Sequence, residues 1–138
     1  MRWLPRLLVG AFLLLSVSLA ACTASADKNA YQDLSAPQFR QMLDRQENGA
    51  DVVLLDIRTP GEYKDGHIHG SVLLDYYARD FVDKLKALDR DKTYLVYCRS
   101  GNRSGKSLSV FNQLGFRQVY HLKTGIRGWQ REKYPLNR

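Results

Sequence analysis

The sequence predicts one α/β domain built on a small parallel β-sheet with helices on both faces. Three observations carry this prediction. The chain has 138 residues, which is enough for a single hydrophobic core. Two apolar runs rich in branched residues, Asp51–Ile57 and Thr93–Tyr97, are typical of strands buried on both faces. Helical patterns alternate with these strands, and such alternation implies parallel pairing through right-handed crossovers.

Local start and stop signals define the elements of the first half. After Ser35-Ala36-Pro37, apolar residues recur at helical spacing, and the first predicted helix ends at Gly49. The strand Asp51–Ile57 follows. The stretch Arg58–Gly70 is polar and interrupted by proline and glycine, so the sequence predicts a loop there. This half closes with a short strand over Ser71–Leu74 and a second helix, which is marked by Phe81, Leu85 and Leu88.

The second half repeats the alternation, beginning with the strand Thr93–Tyr97, which ends at Cys98. Glycine is the usual residue just beyond a helix, and Gly115 occupies that position. The last three predicted elements are a helix over Ser104–Leu114, a short strand over Val119–Leu122 and a helical turn or two over Gly125–Lys133.

Composition excludes several classes of protein. The chain is 44% hydrophobic and 25% charged, which is typical of globular proteins and excludes collagen-like, low-complexity and multi-pass membrane proteins. The formal net charge is +7, and residues 99–138 hold nine Lys or Arg against one acidic residue, Glu132. We expect this basic part to steer small anions rather than to bind nucleic acid, because no aromatic-interleaved platform accompanies it.

The first 22 residues have the pattern of an export signal. Arg2 and Arg6 precede an apolar run over Leu7–Leu19, which is shorter than the roughly 20 residues that span a membrane. The run leads into Leu19-Ala20-Ala21-Cys22, which resembles the lipobox of bacterial lipoproteins. That resemblance implies a signal peptide over residues 1–21, a lipidated Cys22 that starts a tether over residues 22–30, and a domain over residues 31–138.

An ordinary signal peptide, cut near Ala21, Ala24 or Ala26, is the alternative interpretation of the same segment. Both interpretations imply export, and we expect the domain on the periplasmic or cell-surface face, where a lipid on Cys22 would anchor it to a membrane. Thr23 follows the anchor where inner-membrane retention in bacteria with two membranes usually shows Asp, so in such a bacterium the outer membrane is favoured, although the sequence leaves the choice open. A lipidated Cys22 would leave Cys98 as a lone thiol in an oxidising compartment, so Cys98 needs a functional explanation.

Cys98 stands at the carboxyl end of a predicted strand, where ligands bind in open parallel sheets. The residues that follow, Arg99-Ser100-Gly101-Asn102-Arg103-Ser104, lead into a helix. The positive end of that helix and the two arginines are expected to lower the pKa of the thiol. Gly101 allows the backbone to curl so that successive N–H groups point at the sulfur. This pattern favours a nucleophilic thiolate over an inert buried cysteine.

Three separated motifs resemble those of the rhodanese-like sulfurtransferases, in the family's order and over about residues 50–135. The first is similar to the family's six-residue active-site loop and comprises Cys98-Arg99-Ser100-Gly101-Asn102-Arg103. The second lies upstream and comprises Leu55-Asp56-Ile57-Arg58, Pro60, Glu62, Tyr63 and Gly66-His67-Ile68-His69-Gly70-Ser71. The third lies downstream and comprises Leu122, Gly125, Trp129 and Tyr134-Pro135, with Thr124-Gly125 where the family has paired glycines.

The resemblance implies sulfur transfer without a cofactor or a metal. Cys98 would attack the outer sulfur of thiosulfate or of a persulfide donor, hold that sulfur as a persulfide and pass it to a thiol or to cyanide. It also implies that the loop binds the anionic donor and stabilises the persulfide through Arg99, Ser100, Gly101, Asn102, Arg103 and Ser104. Asp56, Arg58 and Glu62 are expected to support the loop, with Arg58 paired to Glu62.

The same residues also suggest three alternative functions: a phosphatase, a thiol-redox or sulfur-binding module, and a metal site. Related phosphatase loops separate Cys and Arg by five residues, whereas Cys98 and Arg103 enclose four and leave less room for a tetrahedral phosphate. A thiol-redox or sulfur-binding module would form mixed disulfides at Cys98 and would need an external thiol to resolve them. His67 and His69 suggest a metal, but no third ligand lies at a suitable spacing. The physiological donor and acceptor and the oligomeric state stay open.

Overall fold

The computed structural model describes residues 31–47 and 51–138. The predicted signal peptide, the predicted lipidation site at Cys22 and the tether lie outside the described residues. Within the described ranges, no helix combines the length and the apolar character needed to cross a membrane.

Strands and helices alternate along the described residues. The strands are β1 (Tyr31–Leu34), β2 (Val52–Asp56), β3 (Val72–Leu73), β4 (Thr93–Tyr97) and β5 (Gln118–Leu122). The helices are α1 (Ala36–Glu47), α2 (Pro60–Lys64), α3 (Phe81–Lys86), α4 (Asn102–Gln113) and α5 (Gly125–Arg131).

The strands form one parallel sheet in the order β1-β5-β4-β2-β3. β4 lies in the middle, with Tyr94 paired to Val53 of β2 on one side and to Val119 of β5 on the other. This arrangement confirms the predicted α/β class. The carboxyl end of the central strand is the position where open parallel sheets bind their ligands.

The side chains of β4 alternate between two hydrophobic cores, one on each face of the sheet. The core on the side of α3 and α4 includes Tyr94, Val96 and Cys98. The core on the side of α1 and α5 includes Leu95 and Tyr97. Cys98 therefore leaves the sheet on the face that α4 covers, and the amino terminus of α4 lies next to the sulfur.

Most predicted elements are confirmed, and the differences have local causes. β1 was not predicted because three of its four residues are exposed, and it is ordered by parallel pairing with β5. The predicted loop Arg58–Gly70 contains the helix α2, which has a capping box in which Thr59 and Glu62 bond each other's backbone N–H. α4 begins at Asn102, two residues before the predicted start, with Gly101 as its N-cap residue.

Candidate active site

Cys98 follows the last residue of β4 and is almost completely buried, with 1% of its surface exposed. Its neighbour Tyr97 is held from the adjacent strand by a hydrogen bond from Ile57 N–H to Tyr97 O of 3.0 Å. The sulfur is thus fixed at the end of the central strand.

Three donors surround the Cys98 sulfur. The backbone N–H of Gly101 lies 3.2 Å from Sγ, that of Ser104 lies 3.5 Å away, and the Ser104 hydroxyl lies 3.3 Å away. We call this set the sulfur cradle. All three groups can donate to a thiolate, and donors that converge on one atom stabilise negative charge there.

The sulfur cradle decides the protonation of Cys98. Burial by itself raises the pKa of the thiol, but hydrogen bonds from the Ser104 hydroxyl and from the backbone N–H groups of Ser104, Ser100 and Gly101 outweigh it. The net result is a pKa below the ordinary value. The sequence predicted this direction, but the structure assigns it to hydrogen bonds rather than to the charges of Arg99 and Arg103.

Gly101 gives the loop its shape. Its φ is +92°, in the left-handed region that favours glycine, and a Cβ at this position would collide with the carbonyl of Lys123. The turn at Gly101 directs its own N–H at Sγ while the loop stays pressed against the end of β5. Because both conditions exclude a side chain, Gly101 is the residue of the loop with the least freedom to change.

Gly125 joins the loop to helix α5. Its φ is +60°, and a Cβ there would collide with the backbone of Arg99 and Ser100. Directly after it, Ile126 N–H donates to Cys98 O at 2.8 Å and Arg127 N–H donates to Arg99 O at 3.2 Å.

Thr124 stands where the resembling family has the first of two paired glycines, and the backbone conformation explains why glycine is not required there. Its φ is −93°, which any residue adopts, and the close approach to the loop belongs to Gly125. The second of the family's two glycines is therefore the one that this loop requires.

Arg103 is paired with Glu62 and does not point into the sulfur cradle. Its Nη1 and Nη2 each donate to one carboxylate oxygen of Glu62, both at 2.7 Å, across 41 positions in the sequence. This side-chain hydrogen bond from Arg103, with smaller contributions from Thr59, lowers the pKa of Glu62 to about 2 although burial opposes the shift. The pair connects the first turn of α4 to the capping box of α2.

The predicted pairing of Arg58 with Glu62 is wrong. Arg58 binds Asp56 instead, with Nε 2.9 Å from Oδ1 and 3.0 Å from Oδ2, and its Nη2 also donates to Gly66 O at 2.7 Å. Both side chains are buried. The Asp56 carboxylate at the end of β2 accepts from Arg58, while Glu62 accepts from the Thr59 backbone N–H in the capping box and from Arg103.

The remaining loop residues present their side chains outward. Arg99, Ser100 and Asn102 are exposed, so the structure places them at the rim rather than against the sulfur. Their side chains do not touch Sγ. The predicted set therefore separates into groups that contact the sulfur and groups that surround the approach to it.

Sequence reasoning did not identify two residues beside the loop. Tyr77 is 67% exposed, and the Arg103 guanidinium lies 5.6 Å from the centre of its ring. His121 is buried beneath the loop, with Nδ1 bonded to Asp33 Oδ1 at 3.0 Å and Nε2 facing the turn at Gly101. The position of His121 at an inward-facing site of a short strand is the one signal that could have found it.

The two histidines considered as metal ligands each contact a different residue. His67 stacks on Tyr63 with ring centres 3.9 Å apart, and His69 Nδ1 lies 2.7 Å from the Asn137 amide. Among residues 31–47 and 51–138, no three His, Cys, Asp or Glu side chains gather in a way that could hold a metal ion.

Comparison with known proteins agrees with this geometry. A family model described as a rhodanese-like domain matches residues 35–132. Thiosulfate sulfurtransferase GlpE of Pseudomonas paraeruginosa is 40% identical over 107 residues, which cover 78% of this chain and 90% of that protein. The crystal structure of a rhodanese-related protein from Thermoplasma volcanium has a TM-score of 0.66 and 31% identity, with 78% of this chain and 98% of that chain covered. The chain therefore belongs to the rhodanese-like family.

Proposed function

We propose that this protein is a sulfurtransferase that carries sulfane sulfur as a persulfide on Cys98. The observation that carries the proposal is the sulfur cradle, in which three donors converge on Sγ at 3.2 to 3.5 Å. The family and the similarity to GlpE support the class of reaction. Thiosulfate as donor, and a thiol or cyanide as acceptor, belong to this proposal.

The reaction has two balanced steps. In the first, the Cys98 thiolate attacks the outer sulfur of thiosulfate, the new Sγ–S bond forms, and the sulfur–sulfur bond of the donor breaks to release sulfite. In the second, an acceptor anion attacks the outer sulfur of the persulfide, and the Cys98 thiolate leaves. Sγ carries the negative charge before the first step and after the second, and the sulfur cradle stabilises it in both states.

Burial of the sulfur favours transfer of a single atom. With Cys98 only 1% exposed, a small terminal sulfur reaches Sγ more readily than the central phosphorus of a tetrahedral phosphate. Both terminal nitrogens of Arg103 are also occupied by Glu62 instead of facing a phosphate. These two observations favour sulfur transfer over the phosphatase alternative.

Membrane anchoring is part of the proposal. We propose that the exported chain is held in the cell envelope by a lipid on Cys22, with residues 23–30 as a tether. The lipobox-like Leu19-Ala20-Ala21-Cys22 supports it. Mass spectrometry of the amino-terminal peptide, compared with a Cys22→Ser variant, tests it: diacylglycerol on Cys22 is expected, and an unmodified terminus at another residue would contradict lipidation.

The central experiment measures the mass of the purified protein after treatment with thiosulfate. We expect one added sulfur atom, which is removed by cyanide with formation of thiocyanate. A Cys98→Ala variant should gain no sulfur. A wild-type protein that gains no sulfur from thiosulfate or from a persulfide donor, and forms only mixed disulfides with small thiols, would support the thiol-redox alternative instead.

A further inference from the structure

A buried histidine lies beneath the catalytic loop and has no part in the proposed chemistry. His121 belongs to β5, and only 4% of its surface is exposed. Its register partner on β4 is Val96, whose side chain packs in the core on the side of α3 and α4. His121 therefore lies on the face of the sheet from which Cys98 leaves β4.

The imidazole ring of His121 faces the loop at two points. A Cβ on Gly101 would lie 3.6 Å from Nε2, and a Cβ on Gly105 would lie 3.5 Å from Cε1. Gly101 donates its N–H to Sγ and is the N-cap residue of α4, and Gly105 N–H donates to Gly101 O at 2.9 Å. The ring thus packs against the backbone that carries the sulfur cradle.

The orientation of the ring is fixed by β1. His121 Nδ1 bonds Asp33 Oδ1 at 3.0 Å, and this hydrogen bond is the largest of the contributions that lower the pKa of Asp33. The same carboxylate binds Lys123 Nζ at 3.6 Å, and the Lys123 carbonyl is the group that excludes a side chain from Gly101. Asp33 thus binds His121 and Lys123, and each of these residues lies against the Gly101 turn.

Packing alone does not account for a histidine at this position. Within the part of the chain that the structure describes, His121 Nε2 is buried and has no hydrogen-bond partner. A buried polar atom without a partner lowers stability, and an apolar side chain such as that of Val119, two residues earlier on the same face, avoids this cost. The bond from Nδ1 to Asp33, which holds the ring against the loop, is what the histidine supplies.

We propose that His121 is a positioning residue of the active site and that Asp33 orients it. Glycine has more backbone freedom than any other residue, so the Gly101 turn depends on its neighbours to keep one conformation. The His121 ring supports that turn and keeps the Gly101 N–H directed at Sγ, which sets the reactivity of the thiol. The inference rests on the proposed sulfur transfer only where the rate of transfer is the measured quantity.

Removal of the ring tests the proposal on the full-length protein. His121→Ala should weaken the hydrogen bond from Gly101 to Sγ, and the pKa of Cys98 should rise because this bond helps to lower it. The ultraviolet absorbance of the thiolate, followed against pH, measures the change. The kcat/KM for thiosulfate at neutral pH should fall by about fivefold, the scale of one weakened hydrogen bond.

Val119→Ala is the matched control for a cavity. Val119 is buried on the same strand and the same face as His121, two residues farther from the loop. Both substitutions should lower stability in urea unfolding, because each leaves a cavity on that face of the sheet. Only His121→Ala should move the titration of Cys98. Equal movements in the two variants, or none in His121→Ala, would overturn the proposal.

Two substitutions of Asp33 separate positioning from charge. Loss of a negative charge by itself would lower the pKa of Cys98, because fewer negative neighbours favour the thiolate. Asp33→Ala should instead raise it, since the ring loses its orientation, and Asp33→Asn should restore most of the wild-type value because the amide keeps an acceptor oxygen for Nδ1–H. A lowered pKa in Asp33→Ala, or a rise that persists when Asp33→Ala is added to His121→Ala, would contradict the proposal.

Hydrogen exchange follows the turn itself and does not depend on turnover. In His121→Ala the amide proton of Gly101 should exchange faster by a larger factor than that of Leu95, in the middle of β4. This result supports the proposal even if Cys98 gains no sulfur from thiosulfate. Unchanged exchange at Gly101 and an unchanged titration, with normal persulfide formation on Cys98, leave the sulfurtransferase intact and refute the role of His121.

Discussion

The hydroxyl of Ser104 is the one donor of the sulfur cradle that a substitution can remove without altering the backbone. Ser104→Ala should raise the pKa of Cys98, because the hydrogen bond from Oγ to Sγ is the largest of the contributions that lower it. The ultraviolet absorbance of the thiolate, followed against pH, measures the shift directly. Sulfur transfer at neutral pH is expected to slow by about tenfold, the scale of one hydrogen bond to a charged group.

A second serine on the same helix serves as the control. Ser109 is exposed and its hydroxyl bonds Lys106 O, away from the sulfur. Ser109→Ala should leave the titration of Cys98 unchanged. An unchanged titration in Ser104→Ala as well would mean that the backbone N–H groups alone set the pKa of the thiol.

Glu62 makes the stability of the domain depend on pH. Its pKa is about 2 in the folded protein against an ordinary 4.5, so the Glu62–Arg103 pair contributes fully above about pH 4.5 and its contribution is lost as the pH falls toward 2. Glu62→Gln should lower the free energy of unfolding by about 2 to 3 kcal/mol at neutral pH. Urea unfolding at several pH values should show the difference between wild type and variant shrinking as the pH falls.

The exposed pair of Asp83 and Lys86 provides the comparison for Glu62. The side chain of Asp83 is 75% exposed, so Asp83→Asn should change stability little at any pH. A difference between wild type and Glu62→Gln that stays constant from neutral to acid pH would contradict the assigned role of the carboxylate.

At the scale of elements, the sequence predicted what local patterns determine. The buried strands β2 and β4 and the helices α1, α3 and α4 carry apolar periodicity and end signals within their own residues. Helix α2 was also predictable, since Thr59 and Glu62 have the spacing of a capping box. β1 was not, because its order comes from pairing with β5.

In the candidate site, too, the sequence predicted local features but not contacts between distant parts of the chain. The nucleophile and Gly101 of its loop were predictable, since their chemistry and backbone requirements are local. The partner of Arg58 was assigned incorrectly because Asp56 and Glu62 both lie within a few positions of it. The true partner of Glu62 is Arg103, 41 positions away, and only the folded sheet brings the two together.

The start of α5 contains a coupled pair of positions. A Cβ on Gly128 would collide with the side chain of Thr124 one turn earlier. Gly128→Ala should therefore destabilise the wild-type protein by about 1 to 3 kcal/mol, the usual cost of overpacking. In a Thr124→Gly background the clash is absent, and the same substitution should stabilise the protein by about 0.5 to 1 kcal/mol because it removes a glycine from a helix.

A double-mutant cycle measured by thermal or urea unfolding tests this coupling. The stability effect of Gly128→Ala must change sign between the two backgrounds. If the effects of the two substitutions simply add, the contact between Thr124 and position 128 does not limit the packing of α5.

At the scale of the whole molecule, charge is distributed unevenly along the chain. Residues 22–98 hold thirteen acidic residues against ten Lys or Arg, and many of these acids are matched locally, as Asp80 is by Lys84. Residues 99–138 hold nine Lys or Arg and one acidic residue, Glu132, and, among the residues that the structure describes, three of the nine pair with acids of the preceding part. This basic part begins at Arg99 in the catalytic loop, directly after Cys98.

This distribution predicts that salt weakens the reaction with anionic donors. The kcat/KM for thiosulfate should fall several-fold between about 0.02 M and about 0.3 M salt, because the distance over which exposed charges act shrinks from roughly 20 Å to well under 10 Å. Cyanide reacts as a monoanion, so its kcat/KM should fall less over the same range than that of the dianion thiosulfate. Reversing two charges of the basic part outside the catalytic loop, with Arg131→Glu and Arg138→Glu together, should flatten the salt dependence for thiosulfate while leaving the titration of Cys98 unchanged. A steep dependence that survives this double substitution would assign donor attraction to the arginines of the loop alone and would contradict steering by the basic part as a whole.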